Sequence, residues 1–286
     1  MKRAVARRQT WWLRLFIVTV LVMLVLPVPK PWDIMITAVP LALALVRPPR
    51  SEMPPAELTA PVRGRWIAIN APGTAVPSHG VKAYGQTYAV DLLQPSVDAP
   101  EKIGWSLHTR APESYSCFGA PVLAMADGTV ERVTDFWRDH RSRDTWPPLI
   151  WMMTVEAFAR EVAGASAILG NHVIVRHDDN TFSAYAHLRR GSVRVTAGDR
   201  VTAGQQLAEV GNSGNTSEPH LHVQLMDHPV PTAAAGVPMR WPDVITDPAD
   251  RDPRWSTGDP KPSALPGFPQ NGQLFDATDR QPGEVH

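Results

Sequence analysis

The chain of 286 residues contains one cysteine, Cys117. A single thiol excludes an intramolecular disulfide framework, and without a Cys-x-x-Cys partner it reads as a small packed side chain rather than a soft-metal ligand. Charge of one sign is also lacking, because 28 Lys and Arg match 28 Asp and Glu. There is therefore no basic bias toward nucleic acid, and no nucleic-acid partner is expected. No lysine occurs between Lys102 and Lys261, so no lysine-linked cofactor can be carried by that stretch. Apolar runs long enough to cross a bilayer comfortably are missing too. Leu15 to Val28 and Ile34 to Val46 each cover roughly 20 Å as helix, against a hydrocarbon core of about 30 Å.

Those two runs nevertheless follow Lys2, Arg3, Arg7, Arg8 and the pair Trp11-Trp12, the order of a positive-inside flank and an interfacial aromatic belt. Residues 1–46 are read as an N-terminal membrane anchor region, either a single pass or two short segments, with a cleaved signal peptide as the alternative. Proline is abundant, 29 residues, and collects at the two ends. Residues 47–63 read as a Pro-rich linker and 246–286 as a Pro/Asp-rich tail of extended or disordered character. The compact domain is expected over 64–245.

Within it, short Val-rich segments alternate with glycine turns. Gly119 to Val130 reads as strand, Asp127-Gly128 turn, strand, and Gly170 to Leu188 as two strands around a polar turn. Leu207 to Gly211 is a further strand, and Asn212-Ser213-Gly214-Asn215 turns the chain into Glu218-Pro219-His220-Leu221-His222. The fold class that follows is mainly β, an antiparallel β-sandwich or open barrel. A helical insertion interrupts it at 135–168, opened by Trp146-Pro147-Pro148 and expected to pack on the barrel.

Residues two apart on a strand share a face, so His220 and His222 project side by side, leaving Leu221 and Val223 for the opposite surface. Imidazole is both a zinc ligand and a proton carrier near neutral pH. Asp91 lies in the apolar-leaning run Tyr88 to Leu93, where an unpaired carboxylate is costly, which points to a metal or hydrogen-bond partner. His172 and His177 fall on a strand and read as structural or solvated. His108, His140, His228 and His286 carry no argument beyond their type.

The runs GAPVLAMADGTV, GNHVIVRH, YAHL and VTAGQQLAEVGNSGNTSEPHLHVQL, with SHGVKAYGQTYAVDLL upstream, resemble the lysostaphin-type (LytM-like) zinc metallopeptidases, peptidoglycan endopeptidases with a duplicated-hybrid-motif β fold. The resemblance covers roughly residues 65 to 230. It implies Zn2+ as cofactor, with His222 and Asp91 as metal ligands and His187 and His220 as catalytic histidines that do not bind the metal. The usual histidine four residues before the aspartate is replaced by Thr87, and the resemblance then points to His79 as the third ligand.

Two histidines and a carboxylate leave one of zinc's four positions open, which suits activation of water for amide hydrolysis. The function implied is zinc-dependent endopeptidase cleavage of peptide crosslinks in bacterial peptidoglycan, on the extracytoplasmic side of the membrane. Peptidoglycan peptides are the expected partner, and the membrane a second one through the N-terminal segment. The missing spacing keeps an alternative open, a zinc-free relative that binds the wall or activates another hydrolase. A carrier module, suggested by Val195 to Leu207, fails for want of a lysine at a hairpin tip.

Overall fold

The computed structural model describes residues 1–26, 28–95 and 103–278; His286 lies outside the described residues. Three helices open the chain, α1 (Lys2–Ala6), α2 (Gln9–Met23) and α3 (Trp32–Ala44). The strands that follow are β1 (Ala56–Glu57), β2 (Gly64–Ile69), β3 (Val90–Leu93), β4 (Pro121–Leu123) and β5 (Gly128–Thr134). The insertion forms α4 (Trp146–Trp151), a π turn over Met152–Glu156, α5 (Ala157–Ala163) and α6 (Ala165–Leu169). Then come β6 (Asn171–Arg176), β7 (Phe182–Leu188), β8 (Arg200–Val201), β9 (Gln206–Glu209), β10 (Leu221–Met226), β11 (Gly236–Val237), β12 (Met239–Arg240), β13 (Val244–Arg251) and β14 (Gln273–Ala277).

The main sheet is antiparallel throughout, in the order β13-β14-β2-β3-β10-β7-β6-β5-β8, with β11 paired to the end of β10. A mainly β, antiparallel core with helices is thus the observed class. The β6–β7 hairpin forms as the sequence predicts. Gly119 to Val130 does not fold as a hairpin, because β4 pairs with β9 in a separate two-stranded sheet while β5 pairs with β6 and β8. The Asp127-Gly128 step carries the chain from one sheet to the other. Leu221, Val223 and Leu225 of β10 are fully buried with Tyr185, Leu188 and Leu207 in the core between the sheets. Burial of each such side chain contributes about 1.5–3 kcal/mol, and the alternation commits the other face of β10 to the site.

Both Pro-rich ends enter this core. In the expected linker, β1 pairs with β12 and Leu58, Ala60 and Val62 are buried. In the expected tail, β14 inserts between β2 and β13, burying Leu274 and Phe275 while Phe268 packs on Trp241. Four or five alternating residues suffice for a strand when both neighbours offer free edges; proline density around them hid that signal.

The expected membrane-spanning helix is corrected. Helices α2 and α3 have 15 and 13 residues, lengths of about 22 and 20 Å at 1.5 Å per residue. Pro29 and Pro31 separate them, and no helix among the described residues is long and apolar enough to cross a membrane. The pair packs as a hairpin whose outer face exposes Val18, Leu21, Ile34 and Val39. Its polar residues tie it to the domain: Arg3 binds both carboxylate oxygens of Asp227, and Arg14 Nε donates to the Val162 carbonyl at the end of α5 (2.8 Å).

Candidate metal centre and active site

Asp91 on β3 and His222 on β10 are directly opposed in antiparallel register, which brings their side chains together on the face turned away from the core. His222 Nδ1 lies 2.8 Å from Asp91 Oδ1. His79 arrives from a loop. The Ser78 amide donates to the Thr87 carbonyl (3.1 Å), closing the intervening excursion so that His79 lands beside the position where the expected histidine is missing. The excursion turns through left-handed residues, Tyr84 at φ 59° and Gly85 at φ 75°. A Cβ at Gly85 would stand 2.9 Å from Met226 Cγ, so glycine serves both the turn and the close packing. His79 Nε2 then sits 3.1 Å from Asp91 Oδ2.

The ligating atoms of His79, Asp91 and His222 all lie within 4.8 Å of one another, a donor set of two imidazoles and one carboxylate that fits zinc. The surroundings orient the donors. Asn70 Nδ2 donates to Asp91 Oδ2 (2.8 Å). Gln224 Nε2 donates to the Tyr84 carbonyl (2.7 Å), which turns its Oε1 toward His222 Nε2 at 2.9 Å. An amide oxygen can only accept, so the Nε2 proton is held there; Nδ1, whose proton Asp91 Oδ1 accepts without a metal, faces Asp91 and His79 and becomes a metal ligand once that proton leaves. Burial opposes ionisation of Asp91, but the facing His79 and His220 and the hydrogen bonds from His222 and His79 outweigh it and hold the carboxyl well below its usual range.

His187 and His220 flank this cluster. Their rings are 4.9 Å apart, and His187 is 5.7 Å from His222. Ala186 stands opposite His222, so alternation alone would send His187 toward the core. Its left-handed backbone, φ 60°, turns the side chain back into the cleft. This is the local strain that functional positions carry. His187 Nδ1 lies 2.8 Å from the Ser213 carbonyl and His220 Nδ1 2.8 Å from the Glu218 carbonyl. Carbonyls accept, so both protons sit on Nδ1 and both Nε2 lone pairs are free. Burial lowers both pKa values, that of His187 well below the ordinary 6.5, so both rings are neutral at neutral pH.

The five residues singled out from the sequence line one cleft of about 780 Å³. The insertion, expected to pack on the barrel, forms part of its wall through Met152, Ala157 and Glu161, and the Tyr84 hydroxyl donates to the Glu161 carboxylate. His172 and His177 are structural: buried, with Nδ1 atoms facing the Gly170 and Asp127 carbonyls. His140 clamps the loop before β10 through Nε2, 3.0 Å from the Gly214 carbonyl. Sequence reasoning missed Asn70, Gln224 and Glu218. Only Gln224 had a signal, since it lies two residues beyond His222 and so on the same strand face.

The sequence model of Peptidase family M23 matches residues 154–234. That stretch holds His187, His220 and His222; His79 and Asp91 lie outside it and join the site through the fold. Peptidoglycan DD-endopeptidase ShyA of Vibrio cholerae serotype O1 is 35% identical over 72 residues, 24% of this chain and 16% of that protein. Cell division protein DipM of Caulobacter vibrioides is 28% identical over 170 residues, 59% of this chain and 19% of that protein. The chain therefore spans about a fifth or less of the length of these curated relatives. Among solved structures, the catalytic domain of lysostaphin from Staphylococcus simulans aligns with a TM-score of 0.32 at 18% identity, covering 57% of this chain and 84% of that one. The matched residues, together with the histidine motifs they contain, bear out over that stretch the resemblance of this chain to peptidase family M23, the lysostaphin-type family.

Proposed function

We propose that the chain is a zinc-dependent endopeptidase that hydrolyses peptide crosslinks of bacterial peptidoglycan. One observation carries the reading: a His/Asp/His donor set whose members lie within 4.8 Å, with two neutral, buried histidines directed into the same cleft. His79, Asp91 and His222 would hold the metal, which when bound supplies a Lewis acid for the scissile carbonyl and lowers the pKa of water. Proton movement falls to His187 and His220. Each presents a free Nε2 lone pair at neutral pH, so one can take the proton released by the attacking water and return it from Nε2 to the departing amide nitrogen. The protonated ring is stabilised by Asp91, whose Oδ1 lies 3.7 Å from His220 Nε2. The peptide would lie along the cleft between the β3–β10 face and the insertion wall.

The substrate class draws support from the peptidoglycan endopeptidase named among the relatives. Peptidoglycan cleavage requires an extracytoplasmic domain, and the apolar residues exposed on the outer face of the α2–α3 hairpin suit attachment to a membrane surface. Elemental analysis of the purified full chain, combined with digestion of purified walls, tests the proposal. About one zinc per chain and release of peptide amines are expected, both lost in His222→Ala. Absence of zinc after zinc supplementation, or a zinc-loaded protein inert on both glycine-bridged and directly crosslinked walls, would refute it.

A further inference from the structure

Three acidic residues are buried among the described residues: Asp91, Asp243 and Glu218. Asp91 is held by its histidines and Asn70, and both oxygens of Asp243 accept from the Ala60 amide at 3.0 Å. Glu218 differs. It is 9% exposed and lines the cleft beside His220, yet its carboxylate makes no hydrogen bond or ion pair among the described residues. Its carbonyl is engaged, receiving Thr216 Oγ1 (2.7 Å) and facing His220 Nδ1 (2.8 Å).

The two cations whose charge reaches Glu218 are committed elsewhere. Arg110 Nη2 pairs with Asp144 at 2.5 Å, and Arg254 with Asp252 at 2.7 Å. A desolvated carboxylate without a partner costs several kcal/mol unless it takes up a proton or something outside the chain completes it. A metal does not suit this position, because no second group of clustered ligands occurs among the described residues. An ammonium does: it is a compact point charge with several donors, and both carboxylate oxygens are open to it.

We propose that Glu218 is the recognition residue for a primary ammonium group on the peptide substrate, set in the cleft wall next to the histidine pair. The inference rests on the peptide-substrate reading above and narrows it, selecting strands that present a free amine near the scissile bond. Burial, reinforced by Asp144, pushes the Glu218 carboxyl up to about 7; an arriving ammonium reverses that effect and holds the group ionised. Because the Glu218 main chain also orients His220, an amine docked here fixes the peptide directly beside a proton carrier.

Calorimetric binding of muramidase-solubilised wall fragments to the full chain tests the assignment, with fragment amines either free or acetylated. Hydrogen bonds to charged groups contribute about 1.5–3 kcal/mol, so the free-amine fragments should bind the wild type about 10- to 100-fold more tightly than the acetylated ones. Glu218→Gln, isosteric and uncharged, should bind both forms equally. A wild type that binds neither form or shows no preference overturns the proposal, as does a preference that survives in Glu218→Gln. Cleavage measured on the same fragments separates this from the enzyme reading. Cleavage without preference removes the role of Glu218 alone, whereas preference without cleavage leaves the amine site standing and removes the hydrolase.

Discussion

Replacing Glu218 by glutamine should make the protein more stable at neutral pH, and the gain should vanish in acid. The carboxyl is buried in the cleft wall near Asp144, and it titrates near about 7 in the folded chain against an ordinary 4.5. The folded state therefore holds a proton that the unfolded chain releases over this window. Stability lost in that way grows as pH rises from about 4.5 and is complete above about 7, the opposite sense to that of a salt-bridged carboxylate. At about 1.4 kcal/mol per pH unit, the span corresponds to about 3 kcal/mol.

Glutamine keeps the shape and carries no titrating proton. Urea unfolding of wild type and Glu218→Gln at fixed zinc should coincide near pH 4 and separate progressively toward pH 8, with the variant more stable by up to about 3 kcal/mol. Zinc binding has its own pH dependence, but it is common to both proteins and cancels in the difference. A difference that stays constant from pH 4 to pH 8, or one that favours the wild type at pH 8, would show that Glu218 is partnered in the folded protein and would refute the reasoning.

Loss of Gln224 in Gln224→Ala frees the His222 tautomer, and zinc affinity measured by chelator competition should fall about 10- to 100-fold; unchanged affinity would mean that the amide does not orient the ring. His187→Ala and His220→Ala should retain zinc by elemental analysis while losing about 10²- to 10⁴-fold in hydrolysis rate, whereas His79→Ala should lose metal and activity together. Wild-type turnover in either of the first two variants would remove its role as a proton carrier. Reporter domains fused after residue 60 should behave as exported, and a cytoplasmic signal would contradict wall cleavage.

What could be read from the sequence was local and periodic. The β6–β7 hairpin and the shared face of His220 and His222 follow from alternation over a few residues, and Asp91 stood out because a carboxylate in an apolar run needs a partner. His79 was reachable only through the resemblance, since the contact that brings it home, Ser78 to Thr87, depends on left-handed turns at Tyr84 and Gly85. Where a strand pairs far along the chain, composition misled. The residues around β1 and β14 look like a linker and a tail because proline dominates their neighbourhood, yet each meets an open strand edge made elsewhere. The Asp127-Gly128 turn looks like a hairpin and instead joins two sheets. The wall role of Met152, Ala157 and Glu161 is a matter of where the insertion docks, which no local pattern encodes.

The division between ligand and proton carrier has the same origin. All three buried cleft histidines, His187, His220 and His222, have the same side chain, and two of them stand two residues apart on one face. What separates them is the acceptor each ring meets. His187 and His220 turn Nδ1 to main-chain carbonyls at 2.8 Å, which leaves Nε2 for substrate protons. His222 meets the Gln224 amide oxygen through Nε2 at 2.9 Å, which leaves Nδ1 for the metal. Main-chain carbonyls are fixed by the fold, so the tautomers of the two proton carriers cannot be altered by a single side-chain change, while that of the ligand can. Gln224, like Asn70 behind Asp91, is accordingly a position from which the metal can be loosened without touching either a ligand or a proton carrier.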